Sequence, residues 1–573
     1  MSLPAPQQSH VKPEVVFIFE LIRDVLAGSI RVPAFQRPFV WSRQQMRDLL
    51  DSVWKNYPLG SLLLWEPNEG HPSLERVGPF NVGASSSKTQ RVKLLLDGHQ
   101  RISTLVGVLW NGKDKGPNDE DPNRWRVYYN AKEDTGGAPF EHLKPGAKPE
   151  PWHYPMNRLM DTLDILAETR KMVDRATEAG LDATPWVARV ETLARTFQSF
   201  KMPVIQISEA GLSEAVEIFA RLNTKGQRMS QDQMFSALTY HEGKGGGFHL
   251  AQKIDDIMVM LRSHGFGALK REIVLRSILA ILKEDIYSTD LTVVGKDMKA
   301  RLRTELPDAV DASADALKRA VIFLKSQGIH NDRLLPYNLQ VVVLAAFFHA
   351  CERPTKDQER FLRRWLWASA YQTWFAMANP SHVAHLVDEF RDTIAEQKSP
   401  THLNTLRLDD PAQPFPAAFD MRAARTRTLL SRLIALEPRS PKGDKLAEPW
   451  RQIKDMGPDA LGRVCATVKD GDLRRSPANR LLTPDPHKRR QAKNWLIKLD
   501  PIKDGAILES HAITPESLAL LQRGDHDAFL EARLNTLMAM ERAFMKANNV
   551  TPPTDDQPAY SPVDTDDPLD DIA

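Results

Sequence analysis

The sequence predicts an α+β N-terminal domain followed by mostly α-helical middle and C-terminal regions. In the first 240 residues, short apolar runs alternate with amphipathic segments, which is typical of strands that lie between helices. From residue 248 to 400, and again from 515 to 546, apolar residues recur at helical spacing instead. We therefore expect a sheet only in the N-terminal part.

Each element follows from its local pattern and from the residues that end it. Helices are predicted over residues 14–26, 44–56, 100–110, 158–199, 213–222 and 230–240. Strands or extended segments are predicted over residues 31–35, 61–65, 91–96 and 202–207. A Gly-rich break, a weakly patterned stretch and a Pro-rich end suggest four segments: 1–247, 248–400, 401–548 and 549–573.

Composition narrows the class of protein. The chain has 573 residues and two distant cysteines, which excludes a disulfide framework or a Cys-based zinc site. No apolar run approaches the roughly 20 residues that a membrane helix needs, and the N-terminus does not resemble a secretory signal. We expect a cytoplasmic protein without a membrane partner. Residues 551–573 hold seven Asp and no Lys or Arg, so we expect a disordered acidic tail from residue 549.

The most informative segment is residues 94–105, in which a buried apolar strand leads directly into Asp97, Gly98 and a helix. Glycine permits a sharp turn and the close approach of a ligand. The start of a helix offers backbone N–H groups and a positive dipole end to a phosphate. Arg101 can bind phosphate oxygens, and Asp97 can hold a divalent cation. The alternative is structural: Asp97 caps the helix and Arg101 pairs with a carboxylate.

Two other segments place polar side chains beside predicted turns. Gln36 and Arg37 stand between aromatic residues on an extended stretch, where Gln36 can contact a base or ribose and Arg37 a phosphate. Asn223 and Lys225 lie at a Gly-containing turn between two predicted helices. The alternatives are a packing corner for the first segment and helix capping for the second.

Four motifs together resemble a known family: FQRPFVW (residues 35–41), YPLGSLLLW (57–65), DGHQR (97–101) and RLNTKG (221–226). In content and order they are similar to the N-terminal domain of GmrSD restriction endonucleases, in which the third motif usually reads DGQQR. The resemblance is strong over about residues 14–240 and weaker beyond.

The resemblance implies a ParB/sulfiredoxin-like fold that binds nucleotides, which some relatives hydrolyse in phage defence. The implied catalytic residues are Asp97, His99 and Arg101, with Asp97 also the implied ligand of Mg²⁺. The implied nucleotide-binding residues are Gln36, Arg37, Gly98, Gln100, Asn223 and Lys225. His99 stands where the family usually has Gln, and its charge would follow pH. The resemblance therefore implies nucleotide binding more directly than hydrolysis.

In nuclease relatives the C-terminal half resembles an HNH-type domain, which needs a histidine base and metal-binding side chains. Residues 476–482, 507–511 and 529–533 are similar to parts of that region, but no histidine lies between residues 421 and 480. We therefore expect a degenerate HNH-like domain. The candidate DNA-contact or nuclease-remnant residues are Asn479, Arg480, His487 and His511.

These observations predict a prokaryotic restriction- or defence-type protein that binds a nucleoside triphosphate with Mg²⁺ and acts on or senses modified or phage DNA. A nuclease or another defence protein is the expected partner, and NTPase activity is expected before nuclease activity. Two alternatives stay open. One is an active, modification-dependent HNH-type endonuclease, and the other is a non-enzymatic DNA-binding scaffold.

Overall fold

A computed structural model describes the backbone of residues 10–33, 36, 39–67, 73–74, 76–78, 80–81, 92–110, 122–132, 139–143, 147–211, 214–215, 218, 248, 250–287, 296–482, 492–555 and 557–560. The chain forms two compact units. The first comprises Met1–Ala251 with Asp290–Lys299, and the second comprises Gln252–Thr289 with Ala300–Ala573. This division is coarser than the four segments suggested by the sequence.

The N-terminal unit is built on a mixed sheet, as the α+β prediction requires. The strands described in this unit are β1 (His10–Phe17), β2 (Ile30–Arg31), β3 (Leu62–Glu66), β4 (Arg76–Val77), β5 (Phe80–Asn81), β6 (Lys93–Asp97), β7 (Tyr128–Asn130), β8 (Phe140–Glu141), β9 (His153–Pro155) and β10 (Lys201–Ser208). Five of them form the main sheet in the order β1-β10-β3-β6-β2. β10 runs parallel to β3 and β2 parallel to β6, whereas the other two pairs are antiparallel.

Helices cover one face of this sheet and a smaller apolar cluster lies on the other, because its central strands are apolar on both faces. The helices described in this unit are α1 (Ile18–Leu26), α2 (Arg43–Trp54), α3 (His99–Leu109), α4 (Thr162–Glu178) and α5 (Thr184–Ser199). Successive side chains of a strand point to opposite faces of its sheet. Leu62 and Leu64 accordingly pack in one core cluster, and Leu63 and Trp65 pack in another. Strands buried in this way occupy the middle of a sheet, where β3 is found.

One predicted helix begins later than expected. Residues 14–17 were expected to open the first helix, but they end β1, and α1 starts at Ile18. β1 pairs along its whole length with β10, from His10 opposite Ser208 to Phe17 opposite Lys201. The helical prediction for residues 14–17 was therefore wrong, because pairing with a strand about 190 residues away outweighs the local pattern.

The rest of the chain is mostly helical, as predicted. Its described helices are α6 (Leu250–Ser263), α7 (Arg271–Ile281), α8 (Lys296–Ser326), α9 (Leu339–Ala350), α10 (Lys356–Tyr371), α11 (Trp374–Met377), α12 (Pro380–Asp388), α13 (Ala424–Ala435), α14 (Pro449–Met456), α15 (Gly471–Arg475), α16 (Ala492–Leu496), α17 (Gly505–Glu509), α18 (Pro515–Gln522) and α19 (His526–Ala547). Two short strands, β11 (Leu461–Arg463) and β12 (Arg480–Leu482), form an antiparallel ribbon. Within the described ranges, no helix combines the length and apolarity needed to cross a bilayer.

The C-terminal unit is held together by an apolar helix and by a buried ion pair. α9 is buried around most of its circumference, as expected for a helix without a polar face. Arg425 and Glu541 are almost completely buried and form a two-pronged ion pair between α13 and α19, with the closer contact at 2.9 Å. The Tyr371 hydroxyl also donates to Glu541, and the Arg425 guanidinium lies 4.6 Å from the Tyr371 ring centroid.

Residues 549–555 and 557–560, at the start of the predicted disordered tail, have a described backbone. Val550 is buried, and the Thr551 carbonyl accepts a hydrogen bond from Ala412 N–H. Ala559 exchanges backbone hydrogen bonds with the segment that contains Phe415 and Ala417. Thr551 and Ala559 are therefore held against the C-terminal unit, because neighbouring backbone satisfies their polar groups. Residues 561–573 lie outside the described part of the chain.

Candidate functional site

The site predicted at residues 97–101 lies where β6 ends and α3 begins. Leu94, Leu95 and Leu96 are buried in the sheet and fix the end of the strand. Gly98 then takes a left-handed conformation, with φ of 97°, and caps α3 without a side chain. A Cβ at this position would lie 2.2 Å from Leu62 Cδ2, so both the backbone turn and the packing require glycine.

Asp97 and Arg101 form an ion pair across the first turn of α3. Arg101 Nη2 lies 2.8 Å from Asp97 Oδ2, with 16% of the Arg101 side chain and 34% of the Asp97 side chain exposed. The sequence left two roles open for these residues, ligand binding and structural pairing, and the pair is formed in this structure. The aspartate remains accessible enough to meet a cation or a ligand from solvent.

Arg101 also fixes the turn formed by the YPLGS part of the second motif. Its Nη1 donates to the Leu59 carbonyl at 2.6 Å, and its Nη2 donates to the Ser61 carbonyl at 3.1 Å. Gly60, with φ of 75°, leaves room for the guanidinium, because a Cβ there would lie 2.9 Å from Arg101 Nη1. Sequence reasoning identified this motif but assigned it no role. The signal was a glycine two residues after a proline, ahead of a buried strand, which indicates a turn but not its partner.

The two glutamines of the predicted site join the first motif to the third. β6 pairs with β2 only at Lys93 and Leu94. The next two carbonyls of β6, those of Leu95 and Leu96, accept hydrogen bonds from Gln36 Nε2 at 2.9 and 2.7 Å. Gln100 Oε1 accepts from the backbone N–H groups of Val40 and Trp41 at 2.8 and 3.3 Å. Both amides therefore hold the FQRPFVW segment against the DGHQR segment.

The remaining predicted residues of this site divide into two groups. His99 opens α3 and is 6% exposed, so its ring lies inside the fold. Arg37, Asn223 and Lys225 lie outside the described residues. Three of the four motifs therefore meet at the start of α3.

A divalent cation at this site would have Asp97 as its protein ligand. The described residues contain no cluster of three or more His, Cys, Asp or Glu side chains that could form a complete cage. Mg²⁺ commonly keeps several waters and binds through one or two carboxylates together with substrate phosphates. The partly exposed Asp97 carboxylate fits that mode of binding, because the phosphates and waters supply the other ligands.

In the C-terminal unit, Asn479 is committed to the backbone. It is fully buried and lies directly before β12, at the end of the segment that connects the two strands of the ribbon. Its Oδ1 accepts from Cys465 N–H at 2.8 Å, and its Nδ2 donates to the carbonyls of Cys465 and Arg474 at 2.9 and 3.3 Å. These bonds use both ends of the amide, so in this conformation Asn479 supports the fold and does not face a ligand.

His511 and Arg480 also have specific structural surroundings. His511 is 2% exposed, and its Nε2 donates to the Arg439 carbonyl at 2.8 Å. Burial lowers the pKa of His511 to about 4, so the imidazole is neutral at pH 7. The Arg480 guanidinium lies 4.9 Å from the Phe419 ring centroid and is partly exposed. His487, the fourth residue predicted here, lies outside the described part of the chain.

Sequence reasoning missed the residue that links these elements. Arg533 on α19 is fully buried, and its guanidinium donates to the carbonyls of Ala478, Arg480 and His511. Burial lowers the pKa of Arg533 to about 10. One arginine thus connects three segments that are distant in sequence, and only its fixed fork of donors makes that arrangement possible.

Comparison with known proteins gives this geometry a family context. Residues 18–240 are similar to the GmrSD restriction endonuclease, N-terminal domain. The match contains all four motifs and supports the resemblance predicted for the N-terminal part; the degenerate HNH-like C-terminal domain stays a prediction. Among curated proteins, the chain is similar to an uncharacterized protein of Methanocaldococcus jannaschii, with 20% identity over 426 residues that cover 68% of this chain and 70% of that protein.

Proposed function

We propose that the GmrSD-type domain of this protein binds the phosphates of a nucleoside triphosphate, with Mg²⁺, at residues 97–101, and that this binding serves a restriction-type defence function. The observation that supports the proposal is the geometry of the turn between β6 and α3. A left-handed glycine caps a helix without a side chain, and an acidic and a basic residue stand one turn apart beside it. Helix starts of this kind attract phosphate through backbone N–H groups and the helix dipole.

The Asp97–Arg101 pair supplies the two charges that a nucleotide with its cation needs. Asp97 would hold the cation, and Arg101 would turn the face that now meets Asp97 toward a phosphate oxygen. The bonds from Arg101 to the Leu59 and Ser61 carbonyls would keep the guanidinium in place during this exchange. Binding would thus replace one internal ion pair with two charge-assisted contacts, and the site is preorganised for it.

Gln36 and Gln100 would not contact the phosphates but would position the backbone around the site. Their amides already bond to backbone groups at 2.7–3.3 Å, so they hold Gln36 and residues 40–41 beside the end of β6 and the start of α3. His99 is buried behind this surface, and we place the phosphates on the side of Asp97 and Arg101. The arrangement supports binding more directly than it supports hydrolysis.

The test is equilibrium binding of ATP and GTP, with Mg²⁺, to the wild-type chain and to two matched variants. Asp97→Asn keeps the size of the side chain and its contact with Arg101 but removes the charge. Asp164→Asn is the control, because Asp164 pairs with Arg158 at 2.9 Å with similar exposure in the same unit. We expect Asp97→Asn to weaken binding at least about tenfold, or about 1.4 kcal/mol, and the control to leave it unchanged.

Phosphate release by the same proteins separates binding from hydrolysis. Wild-type turnover that Asp97→Asn abolishes would establish an NTPase, whereas binding without turnover would establish a nucleotide sensor. No binding of any triphosphate by the wild-type chain would contradict the proposal. Equal loss in the Asp97 and Asp164 variants would contradict the assignment of the site.

We further propose that DNA is what this defence function senses, with cleavage assigned to a partner. The buried, bonded states of Asn479 and His511 leave neither amide nor imidazole facing a substrate. Incubation of plasmid DNA with the chain and Mg²⁺ or Mn²⁺ should therefore give no nicking, with or without nucleotide. Nicking that disappears on His511→Gln would instead establish the alternative of an active HNH-type endonuclease.

A further inference from the structure

The ribbon of the C-terminal unit places two arginines side by side. Arg463 on β11 is directly opposite Arg480 on β12, so two like charges stand on neighbouring strands. Like charges directly opposite on paired strands destabilise the pairing. Burial and the proximity of Arg463 lower the pKa of Arg480, and the Asp459 carboxylate offsets this shift only in part. This arrangement is relieved when an anion binds between the two guanidinium groups.

Two more arginines extend this basic face. Arg474 and Arg475 end α15 and are exposed, and the Arg475 carbonyl accepts from Phe419 N–H, whose ring lies under Arg480. Arg475 pairs with Asp472. For Arg463 and Arg474, no carboxylate lies within ion-pair distance in the described ranges. We call the surface formed by Arg463, Arg474, Arg475 and Arg480 the ribbon face.

Ala559 and Tyr560, the last residues that the structure describes, lie beside the ribbon face. Ala559 bonds to the backbone on both sides of Pro416, only a few residues before Phe419. Tyr560, which follows it, is 70% exposed. The hydrogen bond that Arg475 donates to Asp472 and the nearby Tyr560 phenol both raise the pKa of the Arg475 guanidinium. The structure therefore fixes the point from which the last residues leave, and that point lies next to Arg475.

The thirteen residues that follow carry the opposite charge. Residues 561–573 contain five Asp and no Lys or Arg. The first of these, Asp564, is four residues beyond Tyr560 and can reach about 13 Å from it. A short tether keeps such a segment at an effective concentration in the millimolar range. A free polyanion would have to compete with that concentration.

We propose that residues 561–573 of this chain occupy the ribbon face and screen it from other polyanions. The anchored exit at Ala559, the opposite charges and the short tether select the chain's own tail as the occupant. A nucleic acid backbone would use the same guanidinium groups, so the tail would act as a built-in competitor of DNA. This inference is independent of the nucleotide site.

Carbodiimide cross-linking of the full chain tests the contact directly. Arg475→Lys keeps the positive charge and adds an amine that can be coupled to a tail aspartate. Arg360→Lys is the matched control, because Arg360 is also an exposed arginine that pairs with an aspartate three residues earlier on a helix, Asp357. Mass spectrometry should find the tail peptide coupled to residue 475 at least about tenfold more than to residue 360. The excess should vanish in 1 M salt, where the screening length is about 3 Å.

Equal coupling of the tail to both positions, or no coupling to residue 475, would overturn the proposal. A second measurement compares a labelled DNA duplex bound to the full chain and to a chain that ends at Tyr560. Loss of a tethered competitor should tighten DNA binding about tenfold or more at low salt. Arg463→Ser together with Arg474→Ser should remove that gain. A truncated chain that binds DNA no better than the full chain would also contradict the proposal.

Discussion

Replacing Gly98 by alanine tests the geometry on which the proposed site depends. The substitution has two costs, which can be separated. The left-handed φ of 97° disfavours any residue with a Cβ, which costs about 1–2 kcal/mol. The new Cβ would also lie 2.2 Å from Leu62 Cδ2, where an ordinary contact is 3.4–4 Å, and Leu62 is fully buried. Crowding of this kind adds about 1–3 kcal/mol.

Gly180→Ala is the matched control, because Gly180 has φ of 68° in the same unit and nothing lies within 4 Å of a Cβ there. Urea unfolding followed by tryptophan fluorescence should show both variants destabilised, with Gly98→Ala lower by about a further 1–3 kcal/mol. Gly98→Ala should also weaken nucleotide binding, since crowding at 2.2 Å from Leu62 Cδ2 would displace the turn that positions Asp97 and Arg101. Equal destabilisation by the two variants would refute the packing argument for this turn.

Three further predictions concern the C-terminal unit. Asn479→Ala leaves buried backbone groups without partners and should lower the free energy of unfolding by about 2–3 kcal/mol, measured by urea unfolding; an unchanged midpoint would instead favour a ligand-facing role. Glu541→Ala leaves the buried Arg425 charge unpaired and should cost about 3–5 kcal/mol by the same measurement, whereas a cost below 1 kcal/mol would contradict the buried pair. The pKa of His511 is about 4 in the folded chain and near 6.5 when unfolded, so its stabilising contribution is complete above pH 6.5 and is lost as pH falls toward 4. The loss should approach about 3 kcal/mol, and His511→Gln, which keeps the donor, should show a shallower dependence on pH in unfolding experiments between pH 4 and 7.

The parts of the fold that depend on local pattern were predictable from the sequence. The strand that ends at Asp97, the turn at Gly98 and the helix behind it follow from an apolar run, a glycine and a helical period, and the structure has all three. β1 was not predictable in this way, because its partner β10 is far away in sequence. The role of Gln36 was also hidden, since nothing local indicates that a glutamine will bond to the carbonyls of another strand.

The same reason explains what sequence reasoning missed in the C-terminal unit. Arg425 and Glu541 are 116 residues apart, so no spacing rule could pair them. Asn479 was predicted to be a nuclease remnant or a DNA contact, yet its amide bonds to the backbone of Cys465. The acidic composition of residues 551–573 led to a prediction of disorder from residue 549. Composition does not report the backbone pairing of Ala559, so this pairing could not be predicted.

The most direct test of the central claim is hydrogen exchange of the full chain with and without ATP and Mg²⁺. Amide exchange reports local opening, and a ligand that binds backbone N–H groups slows it at the contact. We predict slower exchange in peptides that cover residues 97–102, and in those that cover the Leu59–Ser61 turn bound to Arg101. Protection confined to other parts of the chain, or no protection at saturating nucleotide, would contradict a phosphate site at the start of α3.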